Sequence, residues 1–171
     1  MWHAPETSHA LFATRTDASV VLVLLAYALL AAVSAVLVRI DLEKLRLPNV
    51  IVLPAIAAFG LLLVAAAAVD GEHESLARSL SAGVVLTVFY GVLWLLQPGG
   101  IGAGDVKLAA LLGLALGWVS WPAVLTGALA ASAIGGALGL ALMRSKNARG
   151  PVKLPFGPPM IAGTWFAIAL G

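Results

Sequence analysis

The run ASVVLVLLAYALLAAVSAVLVRI, residues 18–40, decides the fold class. Its 23 residues carry one charge, Arg39, close to the end. At about 1.5 Å per residue, a helix of that length crosses a hydrocarbon core of about 30 Å. The run is too long for a signal-peptide core and no processing site follows it, so it is expected to stay as a first span. The rest of the chain repeats the theme. Apolar runs cover residues 49–69, with Pro54 as an expected kink near the start, then 76–96, a short 105–117, 121–143 and roughly 158–170. Nothing alternates with period two over strand length, which argues against a sheet. The expected architecture is all-α, a polytopic membrane protein built as a bundle of about six transmembrane helices. Residues 1–17 read as a short polar tail and 18–171 as a single membrane-embedded domain.

Composition points the same way. Of 171 residues, 61% are hydrophobic and 11% charged, with a mean hydropathy of +1.04. A soluble domain of this length cannot hide that much apolar surface. The formal net charge of +2 is small, and no nucleic-acid partner is expected. There is no cysteine, hence no disulfide, thiolate metal site or cysteine nucleophile. His3, His9 and His73 lie outside the apolar runs without ligand spacing, so neither a metal nor a cofactor is expected.

The basic residues set an orientation. Arg39, Lys44, Arg46, Lys107, Arg144, Lys146, Arg149 and Lys153 fall after the first, third and fifth runs, while only Arg15 and Arg78 fall on the other side. Eight against two places segments 41–48, 97–107 and 144–157 in the cytoplasm and both termini outside. The turn Trp118-Val119-Ser120-Trp121-Pro122 then lies on the outer side, where both tryptophans would suit the headgroup belt. Small residues recur every four positions at Ala123, Gly127, Ala131, Gly135 and Gly139, and again at Ala109, Gly113 and Gly117. That spacing lets helix backbones approach closely. The fifth-run stripe could serve a homodimer as easily as internal packing. Asp105 lies one step along the Ala109–Gly113–Gly117 stripe, about 40° off per step, and so is expected to face a neighbouring helix. Lys107 points roughly the other way and is expected to snorkel to headgroups.

Of eight acidic residues, only Asp41 and Asp105 abut apolar spans on the inferred cytoplasmic side and sit in unusual local sequence. Asp41 opens DLEKLRLPN, and Asp105 follows GGIGAG. Two aspartates held close cannot both ionise easily and share a proton. One can then act as general base on water while the other donates to a peptide carbonyl, and the pair titrates jointly. Gly99, Gly100, Gly102 and Gly104 free the backbone for left-handed or close-approach geometry. Irregular backbone at membrane depth needs protein or water around it, and the short fourth span leaves room for such a cleft. Each feature also has a simpler role. Asp105 can be a helix-terminal acid, Asp41 an interfacial charge beside Lys44, Asn49 after Pro48 a cap, and LPFGPP a stiff entry to the last span.

These residues together resemble the prepilin peptidase (type IV leader peptidase) family, membrane aspartyl proteases of the GxGD type. Gly102-Ala103-Gly104-Asp105 matches the GxGD motif, and Val106-Lys107-Leu108 continues it as the family commonly does. Asp41 with Leu47-Pro48-Asn49 matches the family's first aspartate and its downstream I-P-N, with leucine replacing isoleucine. Pro155-Phe156-Gly157-Pro158 resembles the family's P-[FY]-G-P segment before the last helix. The resemblance covers roughly residues 20–171. It implies that Asp41 and Asp105 are catalytic. Gly102, Gly104, Lys107, Pro48, Asn49, Pro155 and Gly157 are the accompanying loop or substrate-binding candidates. It also implies cleavage of the short basic leader of prepilin-like precursors, just before their hydrophobic helix, at the cytoplasmic face of the bacterial plasma (inner) membrane. Larger members carry an N-terminal region, often cysteine-rich, linked to N-methylation. Without cysteine, this chain reads as a peptidase-only, minimal member, with pilin precursors and membrane lipid as its partners. The alternatives are a proton- or cation-coupled transporter subunit and a non-catalytic scaffold. Transporter sites usually lie near the midplane between repeats, whereas these carboxylates lie at one edge.

Overall fold

Six helices account for nearly all of the residues that the computed structural model describes, 17–96, 101–144 and 155–170. They are α1 (Asp17–Lys44), α2 (Asn49–Asp70), α3 (His73–Leu96), α4 (Ala103–Val119), α5 (Trp121–Arg144) and α6 (Gly157–Leu170). Residues 1–16, Gly99, Gly100, Lys146, Arg149 and Lys153 lie outside the described residues.

Local sequence explains the connections. α1 ends where Leu45 turns into the left-handed region at φ 50°, its N–H reaching Asp41 O at 2.9 Å. Pro48 is extended at φ −74° and ψ 129° and stands as the N-cap of α2. Its carbonyl accepts from the N–H of Ile51 at 3.0 Å and of Val52 at 3.1 Å. α2 continues through Pro54 and stops at Gly71, whose φ of 73° makes it the left-handed residue that ends many helices.

Packing sorts the helices into pairs and a centre. α1 packs on α2, α3 on α4 and α5 on α6, while α4 also touches α2, α5 and α6. Accordingly Leu108, Ala109 and every residue from Leu111 to Trp118 are buried. A helix apolar all round belongs in the interior of such a bundle. The surrounding helices expose large apolar side chains, among them Leu24, Leu61, Val84, Leu129 and Phe166. Unpartnered apolar surface of this extent suits lipid rather than water. α1, α2, α3 and residues Trp121–Ala141 of α5 are long and apolar enough to cross a membrane. α4, at 17 residues, and α6, at 14, are shorter.

The small-residue stripes are spent inside the bundle. A Cβ at Gly113 would lie 2.7 Å from Ala82 O and from Gly83 Cα, and one at Gly117 2.5 Å from Ala82 Cβ. α4 and α3 are therefore in backbone contact. On α5, a Cβ at Gly127 would meet Leu116 Cδ1 at 2.7 Å. Across the α5–α6 contact, a Cβ at Gly163 would meet Ala131 N at 2.5 Å. Of the fifth-run stripe, Ala123, Gly127, Ala131 and Gly135 are buried within the chain, and Gly139 is half-buried.

The far end of α4 departs from expectation. Trp118 is 6% exposed and Trp121 47%. Only Trp121 is placed for a headgroup belt, because α4 is central and its last turn stays covered. Arg78 of α3 closes that turn, its Nε donating to Gly117 O at 2.7 Å and its Nη2 to Trp118 O at 2.9 Å. Ser19 Oγ donates to Asp70 Oδ2, tying the start of α1 to the end of α2.

Candidate active site

The opposite end of the bundle gathers the end of α1 and the starts of α2, α4 and α6. Asp41 stands in the last turns of α1 and is 4% exposed; Asp105 stands in the first turn of α4 and is 6% exposed. These are the two buried acids among the described residues. Buried carboxylates need hydrogen bonds, and each has one. Asp105 Oδ2 accepts from the N–H of Gly102 at 2.9 Å. Asp41 Oδ2 accepts from the N–H of Gly157 at 3.1 Å. In both cases Oδ1 has no hydrogen-bond partner among the described residues. Asp41 and Asp105 are close enough for their negative charges to repel.

Both carboxylates line one cavity of about 420 Å³, together with Arg46, Leu47, Asn49 and Lys107. Its polar side chains come from the last turn of α1 (Asp41), the α1–α2 link (Arg46), the start of α2 (Asn49) and the first turns of α4 (Asp105 and Lys107). Gly104 lets α4 meet the α1–α2 link, because a Cβ there would lie 2.8 Å from Leu47 Cβ. Close approach, rather than a left-handed backbone, is what this glycine supplies: Gly71 is the one glycine among the described residues with positive φ.

The predicted residues divide as follows. Asp41, Asp105, Gly102, Gly104, Asn49 and Lys107 come together around the cavity, and Gly157 touches Asp41 from behind. Asn49 does not cap α2: the N-cap is Pro48, with no side-chain cap bond. Asn49 Oδ1 instead accepts from Lys107 Nζ at 2.8 Å, so Lys107 bridges to α2 rather than reaching away toward headgroups. The α1–α2 link brings Asn49 under the start of α4, which helical geometry on α4 alone does not reveal. Pro48 shapes the entry to α2. Pro155 precedes α6, half-buried. The helix-terminal reading of Asp105 also holds, since its carboxylate reaches back to the N-cap N–H. Asp41, in contrast, pairs with a backbone N–H and not with Lys44.

Sequence reasoning missed Arg46 and Leu45, which line the cavity, and Tyr90 of α3. Tyr90 is 2% exposed and close enough to Asp105 to interact with its charge. Its ring meets Phe156 edge-on with centroids 6.3 Å apart. The available signal was a phenol within the otherwise apolar stretch 88–96. Among the described residues no three metal-ligating side chains cluster.

Residues 18–140 match the Type IV leader peptidase family. The chain is 34% identical over 148 residues to a prepilin leader peptidase/N-methyltransferase of Aeromonas hydrophila, covering 86% of this chain and 50% of that protein. It is 33% identical over 141 residues to the protein of the same name in Pseudomonas aeruginosa, covering 77% and 44%. A third of that name, in Burkholderia pseudomallei, is 35% identical over 147 residues, covering 82% and 44%. The chain thus spans about half the length of the curated relatives it matches. No solved structure matches.

Proposed function

The chain belongs to the type IV leader peptidase family, and from that premise we propose that it is an aspartyl endopeptidase removing the leader peptide of prepilin-like precursors. Asp41 and Asp105 form the catalytic pair. One carboxylate takes a proton from water as its oxygen attacks the scissile carbonyl carbon. The other gives its proton to the carbonyl oxygen, and the tetrahedral adduct forms without a charged nucleophile on the protein. Proton transfer to the amide nitrogen then releases the two products. The shared cavity of about 420 Å³ is the single observation that carries this reading. Each carboxylate keeps one oxygen for a glycine N–H and one for the reaction.

The excess of basic residues at this end supports a site at the cytoplasmic face of the inner membrane, where a precursor's basic leader remains before its hydrophobic helix enters the bilayer. Lys107 and Asn49, bridged at 2.8 Å, form one wall of the substrate cleft. The test is leader removal from a prepilin in membranes containing the chain, followed on a gel. Asp41→Asn and Asp105→Asn are each expected to lose cleavage; parent-like cleavage by either variant rejects the mechanism.

A further inference from the structure

The bond from Gly157 to Asp41 has an origin in sequence that the catalytic reading does not use. α6 begins GPPM. A helix leaves the N–H groups of its first turn without intrahelical partners, and proline has no N–H. Among the first three positions of α6, Gly157 alone therefore carries a donor. The next N–H, on Met160, is taken by Phe156 O at 3.2 Å. The Gly157 donor is thus the one group in that turn able to reach out, and it reaches Asp41 Oδ2, 116 residues away in sequence, at 3.1 Å in a buried setting.

The fit leaves no slack. A Cβ at position 157 would lie 2.8 Å from Asp41 Oδ2 and 3.3 Å from its Cγ. The segment is held from other sides too. The Phe156 ring meets Tyr90 of α3 edge-on, and a Cβ at Gly135 of α5 would lie 2.9 Å from that ring. Polarity adds to position. Asp41 occupies the last turns of α1, where that helix's own dipole opposes a negative charge, and the N-terminal end of α6 supplies the opposite sign.

We infer that Gly157 is a positioning residue for the peptidase: its N–H, left as the single donor by the two prolines after it, fixes Asp41 Oδ2 and leaves Oδ1 as the oxygen available to the reaction. The inference rests on the reading of Asp41 as catalytic. The last helix is then part of the active site, although it supplies no reacting group.

Two measurements on the full chain in detergent test it. The first is cleavage kinetics on a prepilin substrate. Gly157→Ala is expected to lower kcat roughly ten- to a hundredfold, the cost of displacing a reacting group by a fraction of an ångström to an ångström, with KM within about twofold. Gly136→Ala, whose added methyl meets nothing within 4 Å, should keep both parent values. The second needs no cleavage: thermal unfolding of Gly157→Ala, Asp41→Ala and the double variant. Removing the carboxylate removes the clash, so the double variant should melt above the sum of the single losses. If Gly157→Ala does not fold, the double variant should still fold. Parent-like kcat in Gly157→Ala, strictly additive melting losses, or a double variant that fails to fold alongside an unfolded single each overturn the inference. A parent chain that does not cleave rejects the proposed function instead, and the melting cycle still decides whether Gly157 bears on Asp41.

Discussion

At the scale of single residues, three positions at the site carry distinct physical demands. Gly104 is there for space: the carbon it lacks would stand 2.8 Å from Leu47 Cβ, with Leu47 backbone atoms close behind at 3.4 Å. Gly104→Ala should therefore destabilise by about 1–3 kcal/mol, the usual cost of overpacking a tight contact, measured by thermal unfolding in detergent. It should also slow cleavage, because the same shift moves Asp105 relative to the α1–α2 link. Leu45 presents the opposite case. It holds φ 50° at the end of α1 and is 43% exposed, so the left-handed backbone is costly for its branched side chain while little burial compensates. Leu45→Gly should stabilise by about 0.5–1 kcal/mol, seen as a higher melting temperature. The Lys107–Asn49 bond is exposed. Lys107→Gln, which keeps an N–H donor, should shift stability by less than about 1 kcal/mol, so any larger effect of that change belongs to substrate handling and is read as a rise in KM.

Between elements, α3 packs backbone to backbone against α4, the helix that begins at the site. Gly113 and Gly117 lie against the backbone of α3, at Ala82, Gly83, Arg78 and Ser79. Backbone cannot swing aside as a side chain can. Gly113→Ala and Gly117→Ala should each cost about 1–3 kcal/mol. Gly60 sits in α2 with nothing within 4 Å of its missing carbon. Gly60→Ala should be neutral or stabilise by up to about 1 kcal/mol, the ordinary helix preference of alanine over glycine. Melting curves of the three variants in one detergent decide the contrast. The repeat of small residues was legible before any coordinates; which helix each stripe would meet was not. Two stripes of the same period fit a neighbour in the same chain or in a second copy equally well until the bundle order is known. The observed order commits the α4 stripe to α3 and the α5 stripe to α6 and α4.

For the molecule as a whole, the distribution of basic residues predicts an orientation, and the proposed cytoplasmic site stands or falls with it. The absence of cysteine makes a direct measurement simple. Arg46→Cys, at the cavity end, should react with a membrane-impermeant maleimide in inverted inner-membrane vesicles and stay unlabelled in intact cells. Glu74→Cys, exposed at the start of α3 at the opposite end, should show the reverse. Labelling of both from one side would contradict the up-and-down bundle. Labelling with sides exchanged would move the proposed peptidase site out of the cytoplasm.

The helices, their limits to within a few residues and the two aspartates worth attention were already determined by sequence. Apolar run length, Gly and Pro punctuation and the scarcity of acids beside apolar spans are properties of consecutive residues. Trp118 shows where that ends: its place beside Trp121 suggested an interface, but the centrality of α4, a property of the bundle, buries it. Lys107 shows the same, its partner Asn49 lying 58 residues away. Tertiary structure alone decided that Asp41 and Asp105 share a cavity and that the start of α6 reaches back to hold Asp41. The physical reason is that hydrogen-bond partners of buried charges come from whichever backbone donors the packing leaves unpaired, and those are known only once the helices are in place.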